Sequence, residues 1–150
     1  MREILFRGKA RSGLHAGKFI YGYFVKDFWK PRKGYGIHPI DEELGGYCEV
    51  DPETIGQYTG ITDKNGKRIF EGDIVRYTWV YTYTAGCREF IETHSVIGSV
   101  VYEDVHYVLD NDYSRCISKS GQTSWFEVVG NIYDNNLDDF KRYEKTVESY

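Results

Sequence analysis

The sequence predicts a mainly β protein, on two observations. Of its 150 residues, 49 are Ile, Val, Tyr, Phe or Trp, whereas nine are Ala, Leu or Met. β-Branched and aromatic side chains suit a pleated sheet, and Ala, Leu and Met favour helices. Sixteen glycines supply the turns between strands. A tight turn before Ile74-Val75 and a return at residues 99–101 favour a partly closed SH3-like or pseudo-barrel over residues 54–133. We expect an N-terminal β lobe of residues 1–50 packed beside it.

Length and composition exclude several classes of protein. Hydrophobic residues at 41% and charged residues at 28% indicate a folded chain, and the length favours a single domain over residues 1–150. No apolar run is long enough to cross a membrane. The start of the chain lacks the apolar core of a secretory signal, and the cysteine count is odd, so we expect a cytoplasmic protein.

The first third of the chain predicts strands joined by long connections. Residues 3–7 and 19–25 read as strands, and Gly22 suggests a bulge or a close backbone approach in the second of them. Residues 28–46 contain two prolines and four glycines with weak periodicity, which predicts a long irregular connection. Residues 47–50 are a candidate short strand.

The clearest turn signals lie between residues 54 and 77. Asn65-Gly66 is the preferred pair for a two-residue type I′ turn, in which both positions need a positive φ. Gly72 allows a second tight turn, and Asp73 can accept a hydrogen bond within it. We interpret Asn65, Gly66, Gly72 and Asp73 as structural turn residues.

The second half of the chain predicts further strands and one helix. Residues 79–84 alternate aromatic and Thr side chains, and residues 95–102 and 106–109 form a candidate hairpin. Residues 124–129 supply another strand. In the tail, spacings of three, three and four residues predict a short C-terminal α-helix over 136–148. Its apolar face would carry Leu137, Phe140, Tyr143 and Val147.

Motifs for catalysis or metal binding do not occur in the sequence. The chain contains neither GxSxG nor HExxH. Cys48, Cys87 and Cys116 have no cysteine or histidine within the two-to-five-residue spacing of zinc ligands. The sequence therefore predicts no catalytic residue, no cofactor and no metal site, and it gives no positive reason to expect an enzyme.

A basic, aromatic segment offers a nucleic-acid interpretation. Residues 1–33 carry nine basic and two acidic side chains, whereas residues 34–150 carry ten and 21. Within residues 9–35, cations and aromatic rings are interleaved as in proteins that bind single-stranded nucleic acid. The candidate binding residues are Lys18, Tyr21, Tyr23, Lys30, Arg32 and Lys33. The favoured interpretation places the rings in the core and leaves the charges in ordinary contact with water. The reason is that the acidic remainder of the chain opposes the binding of a polyanion.

The turn-rich centre of the chain carries a family resemblance. Residues 55–75, IGQYTGITDKNGKRIFEGDIV, resemble the signature of the YopX family of bacteriophage and prophage proteins. The opening MREILFRG, residues 50–54 and residues 127–135 resemble other parts of the family in the right order. Two features depart from it: Phe19-Ile20-Tyr21 precedes Gly22 where a Trp is usual, and the family's closing proline is missing after Asn135.

The resemblance implies a small β protein from a phage or prophage, without an activity, cofactor or catalytic residue to transfer. We expect a non-catalytic interaction or assembly module in the cytoplasm of the bacterial host cell. It would form a homo-oligomer through strand edges or the terminal helix, with a phage or host protein as another partner and no membrane. The alternative is a weak nucleic-acid-binding protein that uses residues 9–35.

Overall fold

The prediction of a mainly β protein is confirmed. A computed structural model describes residues 3–27, 34–103, 106–110, 115–116 and 123–150. Within these ranges the chain forms twelve strands and three single-turn 3-10 helices. The strands are β1 (Phe6–Lys9), β2 (Phe19–Asp27), β3 (Gly34–Pro39), β4 (Cys48–Glu49), β5 (Gly56–Thr62), β6 (Arg68–Phe70), β7 (Asp73–Ala85), β8 (Arg88–Glu103), β9 (His106–Asp110), β10 (Arg115–Cys116), β11 (Ser124–Asn131) and β12 (Tyr143–Ser149). The helices span Glu42–Leu44, Pro52–Thr54 and Leu137–Asp139.

The chain divides into two compact units, residues 1–60 and 61–150, and the division falls within β5. The described strands form open antiparallel sheets and no closed barrel. The predicted partly closed SH3-like or pseudo-barrel over residues 54–133 is therefore not confirmed for the described part of the chain. There, β7 and β8 pair with each other over twelve register positions.

The first unit is built on a sheet with the strand order β4-β3-β2-β1-β5. In β1 and β2, Phe6 lies opposite Gly22 and Gly8 lies opposite Ile20, and this register sends one alternating set of side chains into the core. One buried core cluster of this unit consists of Ala10, Ile20, Ile37 and Val50. Partly buried apolar residues pack against them: Phe6, Leu44, Cys48 and Ile55.

Strand β3 corrects the prediction of an irregular connection, of which residues 28–33 lie outside the described ranges. Its sequence, GYGIHP, has weak strand propensity, but its backbone packs closely against its neighbours. A Cβ on Gly22 would lie 2.0 Å from the carbonyl oxygen of His38, and a Cβ on Gly36 would lie 2.1 Å from the ring of Tyr47. The predicted close approach at Gly22 is confirmed.

The second unit contains a sheet with the order β10-β9-β8-β7-β11, and β12 also pairs with β8. In this unit β6 follows the end of β5, with Asp63 N–H donating to the carbonyl of Lys67 at 2.8 Å. One cluster of its buried core consists of Ile69, Val75, Val100, Tyr107, Leu109 and Phe126. The expected antiparallel pairing of β8 with β9 is confirmed.

The predicted C-terminal helix over 136–148 is wrong. Leu137–Asp139 forms a single 3-10 turn capped by Asn136, and β12 follows as an extended strand. Pairing with β8 along all seven residues of β12 outweighs the helical spacing of the apolar residues. In the described ranges no helix is long and apolar enough to span a membrane.

The turn at Asn65-Gly66 is also different from the prediction. Gly66 N–H donates to the Asp63 carbonyl at 3.0 Å, and Gly66 has φ +79°, so the loop contains three residues rather than two. The Asp63 carboxylate explains the three-residue loop, because it accepts hydrogen bonds from the amides of Asn65 at 2.8 Å and Lys67 at 2.9 Å. An Asp that bonds to the amides after it favours a turn beginning at that Asp.

Replacement of Gly22 by alanine tests the close approach of β2 and β3. Because the new methyl group would overlap the His38 carbonyl oxygen, we expect Gly22→Ala to lower the free energy of unfolding by about 3 kcal/mol. Urea denaturation measures this loss. Gly46→Ala is the matched control, since a Cβ there meets no atom within 4 Å and its expected effect is below about 0.5 kcal/mol. Equal stability of the two variants would contradict the close packing.

Candidate interaction site

The long hairpin of the second unit extends beyond its buried core. Buried side chains on β8 run from Val96 to Val100, whereas β7 and β8 continue to pair as far as Ala85 and Arg88. A two-residue turn of Gly86 and Cys87 joins them, with Gly86 at φ +65°. We call residues 79–94 together with β12 the arm.

Strand alternation gives the arm two different faces. In the register, Trp79 lies opposite His94, Tyr81 opposite Glu92 and Tyr83 opposite Phe90. On the other side of β8, Lys145 lies opposite His94 and Val147 opposite Glu92. Side chains of paired residues share a face, so these rows form one aromatic face. The opposite face carries Val80 and Ile91 together with a majority of Thr and Glu: Thr82, Thr84, Glu89, Thr93, Glu144, Thr146 and Glu148.

Ring contacts connect the strands across the aromatic face. The Trp79 and His94 rings are stacked, with centroids 5.2 Å apart and an angle of 9° between their planes. Tyr83 and Phe90 stack in the same way at 5.2 Å and 12°. The Tyr81 and His94 rings form a T-shaped pair with centroids 5.7 Å apart. Cross-strand aromatic pairs of this kind stabilise a two-stranded ribbon that has little core of its own.

A polar network lies among these rings and is centred on Glu92. Its carboxylate is 3.0 Å from the Lys145 amine and 3.1 Å from His94 Nε2, and it accepts a hydrogen bond from the Tyr83 hydroxyl at 3.1 Å. His94 Nδ1 lies 2.9 Å from the hydroxyl of Tyr143. One carboxylate thus links all three strands of the arm, and the imidazole joins it to a phenol.

The contacts within the network favour the ionised forms of Glu92 and Lys145. The hydrogen bond from Lys145 lowers the pKa of Glu92 below its ordinary 4.5, and the bonds from His94 and Tyr83 act in the same direction. The same contact with Glu92 raises the pKa of Lys145 above 10.5. The hydrogen bond to Glu92 also raises the pKa of Tyr83 above 10.0, because an ionised phenol would lose this bond.

Chemically, the network can orient groups and carry a proton over a short distance. With the imidazole proton on Nε2 donated to Glu92, Nδ1 accepts the hydrogen bond of the Tyr143 hydroxyl. That order of carboxylate, imidazole and hydroxyl is the arrangement of acid–base relays. In the described part of the chain, no group of three His, Cys, Asp or Glu side chains could hold a metal ion.

Apolar surface remains exposed around the network. Tyr81 is 55% exposed, Tyr83 43% and Val147 51%. The face therefore combines charges that are already paired with aromatic and aliphatic groups in contact with water. Exposed Tyr and Trp side chains are typical of protein interfaces, where they contribute a large share of the binding energy.

The predicted nucleic-acid-binding residues that the structure describes lie in the first unit. Tyr21 and Tyr23 lie on β2 and are 38% and 55% exposed. Lys18 is exposed immediately before this strand. Lys30, Arg32 and Lys33 lie outside the described residues. The structure therefore puts the two tyrosines on one sheet face, and their interpretation as core residues is wrong.

The four predicted turn residues lie in two separate turns of the second unit. Asn65 and Gly66 form part of the loop between β5 and β6. Gly72, at φ +82°, precedes Asp73, which is 1% exposed and accepts a hydrogen bond from the Phe70 amide at 2.8 Å. These contacts give each residue a part in backbone geometry, and they do not bring the two turns together into one site.

The residues of the Glu92 network were not predicted from the sequence. Glu92 and His94 are about 50 residues from Tyr143 and Lys145, a separation that local patterns do not cover. One available signal was the alternation of residues 79–84, and another was the alternation of Tyr143, Lys145 and Val147. The helical interpretation of the tail concealed the second signal.

Removal of the Glu92 charge tests the network. The folded-state pKa of Glu92 is lowered, so its stabilisation is present above the unfolded value of about 4.5 and is lost as the pH falls through the lowered folded value. We expect Glu92→Gln to lower the melting temperature at pH 7, and we expect the difference from the parent chain to shrink as the pH falls below 4.5. Thermal melts followed by circular dichroism measure both effects. Glu89→Gln, on the opposite face, is the control with little expected effect, and a pH-independent difference for Glu92→Gln would contradict the ion pair.

The comparisons with known proteins agree with the signature in the sequence. A search of curated proteins gave no match. The model of the family described as YopX protein matches residues 31–137, which is more than half of the chain. This match includes the turn-rich signature, β7, β8 and β11. The chain therefore belongs to the YopX family.

Proposed function

We propose that the chain is a non-catalytic assembly module of a bacteriophage or prophage, and that it self-associates through the aromatic face of the arm. The observation that carries this proposal is the half-exposed state of that face. Tyr81, Tyr83 and Val147 alternate with polar residues as though one side of the sheet were buried, yet they remain 43–55% exposed in the single chain. A partner that covers the face would bury them.

The charges within the face favour this use. Glu92 and Lys145 form an ion pair at 3.0 Å, so the centre of the face carries no unbalanced charge. The remaining acids of the arm, Glu89, Glu144 and Glu148, belong to the opposite face. Covering the centre of the aromatic face therefore removes tyrosine and valine surface from water while the Glu92–Lys145 pair stays matched, which avoids the usual cost of burying an unpaired charge. Arg88 shares this face in the register but lies next to the turn at the tip of the arm, away from that centre.

A second copy of the chain is the partner that fits best, because the edge of β7 that borders the aromatic face is also suited to pairing with a copy of itself. Residues 77–85, YTWVYTYTA, contain no charge and no proline, the two devices that natural edge strands use against pairing. Among the described strands, β11 accompanies β7 as far as Trp79, and the Val80 amide donates to Thr123. A twofold axis would place this uncharged segment against itself, so that no like charges meet.

The Glu92–His94–Tyr143 relay could suggest an enzyme instead. Each of its members, however, also holds a strand: Tyr143 belongs to β12, and Glu92 and His94 belong to β8. The network thereby explains how a three-stranded arm keeps its shape beyond the core, without a substrate. Assembly accounts for both the network and the exposed rings, whereas catalysis accounts for the network alone.

Location in the cytoplasm of the bacterial host cell belongs to the same proposal. Cys48 and Cys87 are free thiols, and Cys87 is exposed at the tip of the arm. An exposed free thiol suits a reducing compartment. The family resemblance supports a phage or prophage origin, and a phage or host protein is a further partner class that the exposed face would accept.

Light scattering on a size-exclusion column tests the self-association. We expect the parent chain to give at least twice the protomer mass of 17.5 kDa as its concentration rises. The double variant Tyr81→Ala/Tyr83→Ala should shift the equilibrium toward the protomer, because both rings contribute to the proposed interface. The double variant Tyr21→Ala/Tyr23→Ala is the matched control: it removes two exposed tyrosines of the first unit and should leave the mass unchanged.

Two results would refute this role of the arm. One is a parent chain that keeps the mass of one protomer at every concentration reached. The other is an oligomer that the Tyr81→Ala/Tyr83→Ala exchange leaves intact while circular dichroism shows folded protein.

A further inference from the structure

His94 lies at the centre of the aromatic face of the arm. Its ring is stacked on Trp79 and forms a T-shaped pair with Tyr81, and both of these contacts come from β7. On its own strand, Glu92 lies 3.1 Å from Nε2, and on β12 the Tyr143 hydroxyl lies 2.9 Å from Nδ1. The His94 side chain is 13% exposed in the single chain. The imidazole is therefore largely enclosed by the arm, and a small part of it stays open to water.

The ionisable groups around His94 keep one charge state between about pH 5.5 and 8. They come from all three strands of the arm: Tyr81, Tyr83, Glu92, Tyr143 and Lys145. The hydrogen bond from Lys145 holds the pKa of Glu92 below 4.5, so the carboxylate stays ionised. The same contact holds the pKa of Lys145 above 10.5, so the amine stays charged. Phenols are neutral in this range, whereas imidazole is the side chain that ordinarily titrates within it.

The single chain can hold His94 in either charge state. With one proton on Nε2, the imidazole donates a hydrogen bond to Glu92 and accepts one from the Tyr143 hydroxyl. A second proton on Nδ1 reverses only the bond to Tyr143, because a phenol oxygen is also an acceptor. The Glu92 carboxylate and the indole of Trp79, with its ring centroid 5.2 Å away, both attract an imidazolium. Protonation of His94 is therefore compatible with the contacts of the arm.

Protonation of His94 changes the charge at the centre of the aromatic face. Glu92 and Lys145 form an ion pair at 3.0 Å, and their opposite charges sum to zero. A protonated His94 adds a positive charge that this balance does not match, and Arg88 at the tip of the arm is positive too. The other acids of the arm lie on the opposite face: Glu89, Glu144 and Glu148. The aromatic face therefore has a balanced centre at high pH and a positive centre at low pH.

From this charge balance we infer that protonation of His94 switches off self-association through the aromatic face. The inference gives the proposed function a form of regulation, and it rests on that function. A covered face excludes the water that would solvate an added charge, so an unmatched imidazolium is less stable there than in the single chain. Around a twofold axis, each copy brings the same positive charge to one interface, and the two charges repel each other. Assembly therefore requires neutral His94.

Light scattering on a size-exclusion column, with the full chain at pH 8 and at pH 5.5, tests the inference. A concentration series at each pH gives the dissociation constant of the oligomer. We expect this constant to be at least about tenfold higher at pH 5.5, because protons that bind the single chain compete with assembly. The upper limit for a dimer is about 100-fold per pH unit, a factor of ten for each imidazole that loses its proton.

Three variants assign the effect to His94 and to its charge. His94→Gln keeps a donor and an acceptor but stays neutral, so its assembly should be the same at both pH values. Lys145→Gln leaves Glu92 unmatched at pH 8 and matched by protonated His94 at pH 5.5, so its pH dependence should be reversed. His38→Gln is the control: it removes an exposed imidazole from β3 of the first unit and should keep the pH dependence of the parent chain.

The outcomes distinguish this switch from the proposed function. A parent chain with the mass of one protomer at both pH values contradicts self-association itself, and the switch with it. A parent oligomer that is equally stable at both pH values overturns the switch alone. The same conclusion follows if folded His94→Gln still dissociates at pH 5.5, or if folded Lys145→Gln shows no reversal. Circular dichroism accompanies each measurement, and a loss of mass at pH 5.5 that coincides with unfolding of the parent chain also overturns the switch.

Discussion

The pairing of β7 with β8 is the contact on which the second unit depends. It extends over twelve register positions, from Ile74 opposite Ser99 to Ala85 opposite Arg88. Its inner part contributes Ile74, Val75 and Ile97 to the buried residues, and its outer part becomes the arm. β8 also carries β9 at one end of its other edge and β12 at the opposite end. Three neighbours therefore take their position from one strand.

Beyond the core, this pairing has to be stabilised by different means. An isolated two-stranded ribbon is marginal in water, and a third strand or a packed face is needed to hold it. In the arm, β12 supplies the third strand, and the stack of Trp79 on His94 supplies packing. The Glu92 carboxylate then connects all three strands through Lys145, His94 and Tyr83. Side-chain contacts thus replace the missing core.

Local patterns predicted the strands of this fold well and the pairing of distant segments poorly. The alternation of residues 79–84 and the β-rich composition reflect individual strands, and both correspond to strands in the structure. The lengths of β7 and β8, by contrast, follow from their mutual pairing, which no single segment encodes. Strand β3 has glycines where neighbouring groups need space, so its propensity gave no indication of its conformation.

The dependence on pairing between distant segments also explains why the sequence did not predict the conformation of the tail or the residues of the candidate site. Tyr143 and Val147 satisfy a helical spacing and a strand alternation equally well, and the edge of β8 decides between them. Only after that pairing does Lys145 lie beside Glu92, so the network could not be predicted while the tail was interpreted as a helix. The tyrosines of β2 were visible in the sequence, but their side of the sheet depends on which alternating set enters the core.

The late position of β12 in the chain has a consequence for the order of folding. β7 and β8 are joined by a two-residue turn and can form early, whereas β12 pairs with residues about 50 positions before it. Until β12 arrives, the edge of β8 from Phe90 to Val96 is an open template during folding. The β12 of another copy satisfies that template with the same seven residues, so the arm is the part of this molecule that strand exchange between copies would use.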